Sequence, residues 1–335
     1  MNDVDALHLA FEPATLVALN VVLGFVMFGV ALDLSLDDFR RVARAPRGAI
    51  IGLTAQFVLL PAATWGLTML LDMRPSIALG MILIAACPGG NISNVITHLA
   101  RGNTALSIGM TALSTVTAVV MTPFNVTFWG RLNPDTAALL REVSLDPVEL
   151  LLMVFTILGI PLVAGMAVAA RRPEAAARIR RPMKVLSIVF FAGIVIVALR
   201  NNWENFLTYV GVVMALVALH NAVALGLGYG AARAVGLSSR DARAVSIEVG
   251  IQNSALGLTL IFTFFAGLGG MALVAAWWGI WHILAGLGVA ALWAVLDGRM
   301  AGSGRPGRDV LGPETRGPGS VAGPGGMAAG EGNEA

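Results

Sequence analysis

Nine apolar runs, each close to the roughly 20 residues a helix needs to cross a bilayer, dominate this 335-residue chain. They lie at 14–34, 48–71, 76–100, 104–128, 148–170, 184–199, 206–232, 241–266 and 271–296. Lipid offers no hydrogen bonds, so a backbone that crosses it must satisfy its own donors and acceptors, and runs this long do so as helices. Only 13% of the residues are charged, about half the share of a soluble domain. The sequence thus predicts an all-α polytopic membrane protein with nine transmembrane helices.

Basic residues test that count independently. Eighteen of the 22 fall on alternate connections, at Arg40, Arg41, Arg44 and Arg47; at Arg101; at Arg171, Arg172, Arg178, Arg180, Arg181 and Lys184; at Arg233, Arg240 and Arg243; and in the tail at Arg299, Arg305, Arg308 and Arg316. The remaining connections hold only Arg74, Arg131, Arg141 and Arg200. The positive-inside rule then sets the N-terminus outside and the C-terminus in the cytoplasm, which requires an odd number of spans. The expected location is the inner (plasma) membrane, and the basic excess in these loops carries no implication of nucleic acid.

Residues 1–13 are expected to be an extracytoplasmic N-terminus, 14–297 the membrane domain and 298–335 a cytoplasmic tail. The first run follows Asp3, Asp5 and Glu12 with no Lys or Arg before it, so it reads as retained and not as a cleaved signal. The tail is Gly, Pro, Ser and Ala with scattered charge, a composition that cannot bury enough apolar surface to order itself. A single cysteine, Cys87, excludes an intramolecular disulfide and a cysteine-rich metal cluster. No cofactor is expected, and the chain reads as a monomer.

Two runs are interrupted by polar residues, at Cys87-Pro88-Gly89-Gly90-Asn91-Ile92-Ser93-Asn94 and at Glu248-Val249-Gly250-Ile251-Gln252-Asn253-Ser254. Open backbone at membrane depth survives only inside protein or beside a wet cavity, and one such break in each half of a chain points to the binding site of a secondary transporter. Glu248 is the one carboxylate deep within a run. An ionised group there costs about 2.5–3.5 kcal/mol on insertion scales, so it needs a partner. A proton, a distant basic side chain or a bound cation could serve, and a protonated glutamate bridging two helices is the structural alternative. The surrounding polar side chains favour a site: Gln252, Asn253 and Ser254 beside Glu248, Asn91, Ser93 and Asn94 in the other break, Ser107 and Thr111 four apart on one helix face, and Gln56 within the second run.

These segments resemble the bile acid:sodium symporter family. The likeness is carried by Phe39-Arg40-Arg41-Val42 with Gly52, Gln56-Phe57 and Pro61; by Pro88 to Asn94 with Leu99-Ala100-Arg101-Gly102-Asn103; by Leu106-Ser107, Met110-Thr111, Ser114-Thr115 and Thr122-Pro123; by His220-Asn221; and by Glu248 to Ser254. It covers roughly residues 14–297. It implies core and panel domains built on an inverted repeat, here of four spans then five, with two discontinuous helices crossing near the midplane. It also pairs Gln56 with the region of His220 and Asn221.

The resemblance further implies one sodium site at Ser93, Asn94, Ser107, Thr111 and Glu248. A second would use Gln56, Glu248, Gln252 and the carbonyls of Val249 and Ile251. The substrate would meet Asn91, Ile92, Ser93, Asn253 and His282, with the backbone N–H groups of Asn91 to Ser93 presented to an anion. Asn91 stands where relatives often have Thr or Ser, and Ile283 where they have Asn. Both positions border the implied cavity, which points away from bile acids and toward small carboxylates such as pantoate, ketopantoate or pyruvate. The expected function is sodium-coupled symport of such an anion by alternating access, not enzymatic catalysis.

Two other functions fit parts of the chain. Cys87 beside its break suggests arsenite or metalloid efflux, although one thiol is a poor soft-metal site. His98 or His282 with Glu248 suggests an intramembrane hydrolase or receptor, but no G-x-S-x-G motif accompanies them. Each histidine alone reads as an interhelical hydrogen bond. Trp277, Trp278 and Trp281 read as interface anchors, and Asp33 as a solvated cap.

Overall fold

The computed structural model describes residues 21–302 apart from 23, 30, 143–145, 202 and 266. The N-terminal segment 1–13 and the tail from 303 onward lie outside the described residues. The regular elements among the described residues are all helices, without a β-strand. A helical stretch that includes residues 24–29 leads to a short surface helix, α1 (Leu36–Arg44). There follow α2 (Pro46–Leu70), α3 (Pro75–Ala86), α4 (Ile92–Leu99), α5 (Thr104–Leu132) and α6 (Pro134–Glu142). The second half comprises α7 (Val148–Arg171), α8 (Pro173–Asn201), α9 (Trp203–Ala234), α10 (Ser239–Gly250), α11 (Ser254–Phe264) and α12 (Gly269–Gly302).

Five of these helices are long and apolar enough to cross a membrane: α2, α5, α7, α9 from Gly211 and α12. Each of the two interrupted runs is two shorter helices, α3 with α4 and α10 with α11. The last helix continues five residues past the 297 boundary drawn from composition.

Position α3 is central. Every residue from Ser76 to Ala86 is buried, as expected for a helix that is apolar all round. Its neighbours include α2, α5 and α12, and Leu79, Met81, Leu83 and Ile84 join Phe262 and Trp278 in the main core. Trp278 is fully buried, so its expected role as an interface anchor is wrong: its ring packs edge-on against His220 at 4.8 Å. Trp277 and Trp281 are half-buried and stack on each other at 6.4 Å.

Proline shapes two of the spans. Pro61 and Pro161 have no N–H to give the carbonyl four residues back, and their rings crowd it. In both cases the preceding turn widens to a π-helix, at Ala55–Leu59 and at Phe155–Gly159. The carbonyl that Pro61 leaves unpaired belongs to Phe57. Asn125 on α5 donates its amide to that oxygen at 3.0 Å, while the Trp129 indole fixes the amide by donating to its Oδ1 at 3.1 Å. Gln56 sits in the same wide turn, buried and turned inward.

The two breaks meet. Gly90 N–H donates to the Ile251 carbonyl at 2.7 Å, and Asn253 N–H donates to the Pro88 carbonyl at 2.8 Å. Between them Gly89 faces Gln252 in an antiparallel bridge. Exchanging Pro88–Gly90 for Ile251–Asn253, residue by residue, turns each bond into the other. The preceding spans repeat the pattern: the Gln56 amide donates to the Cys87 carbonyl at 2.8 Å, and the Asn221 amide to the Gly250 carbonyl at 2.7 Å. The backbone left open by each break is thus satisfied within protein.

Candidate functional site

Glu248, on the last turn of α10, is buried at the crossing. Its Oε2 accepts from Ser93 Oγ at 2.7 Å and from Thr111 Oγ1 at 2.9 Å. Thr111 Oγ1 also lies 3.0 Å from the Ser107 carbonyl and 3.3 Å from Asn94 Oδ1, which accepts from Ser107 Oγ at 2.9 Å. Ser93, Asn94, Ser107, Thr111 and Glu248 therefore form one network. A hydroxyl carries one proton, so Thr111 can serve only one of the acceptors around it. The network holds more oxygen lone pairs than protons to bind them.

Gln56 belongs to a second, adjoining network. Its Nε2 donates to Gln252 Oε1 at 2.6 Å as well as to Cys87, and Gln252 Nε2 donates to the Val249 carbonyl at 2.8 Å. The Ile251 carbonyl accepts from Gly90. Glu248 Oε1 lies against Gly89, so closely that a Cβ there would fall 2.0 Å from it. Gly89 in turn faces Gln252, which puts the second carboxylate oxygen on the side of this second network. Glu248 Oε1 and Gln56 Oε1 are both buried without a hydrogen-bond donor.

The residues expected to meet a substrate are placed less uniformly. Asn91 and Ile92 are half-buried at the start of α4, and the Asn91 side chain makes no cap bond. Ser93 is committed inward: its hydroxyl is on Glu248 and its N–H on the Gly90 carbonyl at 2.8 Å. Both of its donors are thus engaged in this arrangement. Asn253 caps α11, its Oδ1 accepting from Leu256 N–H at 3.1 Å, which leaves its NH2 group. On α12, Gly279 packs on Ser254 and Gly286 on Ile251 and Ile96. His282 lies between them at helical spacing on the same face, buried and with Nδ1 unpartnered.

Other polar groups were not assigned from the sequence. His220 Nε2 and Thr64 Oγ1 join α9 to α2 at 2.7 Å. Arg243, counted above as a loop residue, is buried in α10 and makes a bidentate pair with Asp297 at 2.7 Å for each contact, plus a bond to the Ala100 carbonyl at 2.9 Å. Its guanidinium also stands over Trp293, 5.5 Å from the ring centroid. The adjacent His220-Asn221 pair within an apolar run was the signal available for the first. Nothing in the local pattern around Arg243 reveals the second. Asp33 is exposed and lies 3.5 Å from Arg180 Nε.

The donor set suits a hard cation. It combines one carboxylate with amide, hydroxyl and carbonyl oxygens, and among the described residues no three His, Cys, Asp or Glu side chains converge. Arg243 is the one buried Lys or Arg among the described residues, and it is paired to Asp297. Among the described residues Glu248 therefore has no Lys or Arg partner. The Cys87 thiol is fully buried, and His98 is exposed near the far end of α4, away from the turn that carries Ser93.

The family model described as Sodium Bile acid symporter family matches residues 20–209. An uncharacterized sodium-dependent transporter, YocS, of Bacillus subtilis is 33% identical over 276 residues, covering 82% of this chain and 83% of its own length. A probable chloroplastic sodium/metabolite cotransporter, BASS1, of Arabidopsis thaliana is 32% identical over 277 residues, 82% of this chain and 66% of the plant protein. The ileal sodium/bile acid cotransporter of Cricetulus griseus is 27% identical over 250 residues, 74% of this chain and 70% of that protein. The chain belongs to the sodium bile acid symporter family, and is accordingly a multi-pass membrane protein of a sodium-coupled transporter family and not an enzyme.

Proposed function

We propose that this protein is a sodium-coupled symporter of a small organic anion, a carboxylate, working by alternating access. The observation that carries the reading is the surplus of buried acceptors around Glu248. Its Oε1 and Gln56 Oε1 have no donor, and an unsatisfied buried acceptor costs about 1–3 kcal/mol. Sodium ions would satisfy these oxygens and neutralise the carboxylate without a proton. The first would sit among Ser93, Asn94, Ser107, Thr111 and Glu248. The second would use Gln56, Glu248, Gln252 and the carbonyls of Val249 and Ile251, whose second lone pairs remain for a ligand.

The coupling follows from the same geometry. Glu248 contributes to both networks, so each ion would fix the position of the other's ligands. Bound sodium would also hold α4 against the second break, setting the α4 N-terminus and its partial positive charge toward an anion. Asn91, the free NH2 of Asn253 and His282 would complete the anion site. The interchangeable pair of backbone bonds at the crossing, with the matching Gln56 and Asn221 amides, supports an inverted repeat of four spans and five. A core and a panel domain would then rock about this crossing, with the N-terminus outside and the C-terminus in the cytoplasm of the inner membrane.

A thermal-shift screen of small carboxylates on the purified chain tests this function. Ligands that bind only the folded state raise its apparent stability. At least one carboxylate should stabilise the protein in sodium and not in potassium at equal ionic strength. Equal stabilisation in both salts would refute the coupling.

A further inference from the structure

A cleft of about 550 Å³ opens beside α1, at the end of the bundle where α2 begins. Its polar rim holds Arg41 and Arg47, and its walls include Ile50, Ile51, Leu106 and Leu237. The two arginines keep donors to spare. Arg47 gives one Nη2 to the Val235 carbonyl and makes no ion pair among the described residues, while a guanidinium has five N–H groups. Arg41 lies 3.7 Å from Asp38 with its own side chain 60% exposed, an arrangement that contributes little attraction in water. The one carboxylate on the rim, Asp241, is already engaged by Asn103 Nδ2 at 2.7 Å and Ser238 Oγ at 2.8 Å.

The walls indicate what sits there. Ile50 is 59% exposed on a helix long and apolar enough to cross a membrane, so the cleft opens toward hydrocarbon at one side and toward charge at the other. A soluble phosphate compound has no use for that apolar side. α1 packs its apolar side on the protein, with Val42 buried against α5 at Gly109, and leaves Arg40, Arg41 and Arg44 exposed beside the cleft.

We propose that this cleft binds an anionic phospholipid, with the headgroup phosphate between Arg41 and Arg47 and an acyl chain along Ile50. Basic residues just inside a membrane boundary attract anionic lipid by charge, and guanidinium pairs suit phosphate geometry. Because α1 links the preceding helical stretch to α2, a lipid held there would brace that joint and make the protein sensitive to the anionic content of its bilayer. The proposal stands apart from the transport reading and needs no sodium.

The test uses the full chain, stripped of lipid in detergent, with phosphatidylglycerol, phosphatidylcholine or inorganic phosphate added, and follows retention by native mass spectrometry. Wild type should retain phosphatidylglycerol at least about tenfold better than phosphatidylcholine. The Arg41→Gln/Arg47→Gln double variant should lose that preference, and Arg41→Lys/Arg47→Lys should keep most of it. Equal retention of the two lipids, an unchanged preference in the Gln variant, or displacement by millimolar phosphate would overturn the assignment. Should the Gln variant not fold, photo-crosslinking wild type with a diazirine-bearing phosphatidylglycerol decides the matter. Labelling should fall within residues 41–51 or on Leu106, and labelling confined to other segments overturns the proposal.

Discussion

Substituting Gly89 with alanine isolates the geometry of Glu248 without touching a proposed ligand. Gly89 is not in the left-handed region that only glycine readily adopts, so the alanine backbone is unstrained and the effect is steric. The new Cβ would fall 2.0 Å from Glu248 Oε1 and 2.7 Å from its Cδ, whereas real Cβ atoms do not approach inside 3.0 Å. The carboxylate, the mobile partner, must therefore swing by about 1 Å. That shift carries its bonds to Ser93 and Thr111, now 2.7 and 2.9 Å, past the range of useful hydrogen bonds. A hydrogen bond to a charged group contributes about 1.5–3 kcal/mol. Losing one from the sodium-bound arrangement should weaken sodium affinity about 10- to 100-fold. The assay is a sodium titration of the melting temperature, with potassium holding ionic strength constant. Gly66→Ala, with nothing within 4 Å of its new methyl group, is the control and should titrate like wild type. If Gly89→Ala also titrates like wild type, the carboxylate does not hold sodium from the position described.

Three further outcomes follow from the packing. Asn125→Leu strips the Phe57 carbonyl of its donor and should destabilise the protein by about 1–3 kcal/mol; adding Pro61→Ala, which restores an N–H to that carbonyl, should recover much of the loss in thermal melts. Asp297→Asn should lower stability by about 2–3 kcal/mol, less than a fully buried pair would because the two side chains are 11% and 22% exposed, while sodium affinity stays unchanged. Trp278→Ala should cost about 3–5 kcal/mol, as for a core aromatic, and Trp281→Ala clearly less; equal small losses would restore the interface-anchor reading of both.

What could be read from the sequence was whatever contradicts a lipid environment. The two breaks stood out because Pro88, Gly89 and Gly90, and Gly250 with Gln252, cannot face hydrocarbon, and Glu248 stood out because its charge there is expensive. The oxygens of Ser93, Asn94, Ser107 and Thr111 could be grouped with it, and the structure does bring them together. Other features depend on what a side chain meets across space. Trp278 has the composition of an interface anchor, yet its partner is His220 from another helix. Arg243 looks like one more basic loop residue because its carboxylate lies on α12. Ser93 and Asn253 were legible as polar groups at a break, but not that local bonds to Gly90 and Leu256 already occupy them. The wide turn at Gln56 does not follow from Pro61 alone, because Pro123 sits inside α5 without one.

The most direct measurement of the central claim is saturable binding of radioactive sodium to the purified chain, wild type against Glu248→Gln. The substitution keeps the side chain's size and two polar atoms while removing the charge shared by the two proposed ion sites. Wild type should bind sodium in preference to potassium, and Glu248→Gln, still folded by its melting transition, should bind almost none. Undiminished sodium binding by Glu248→Gln would contradict the account.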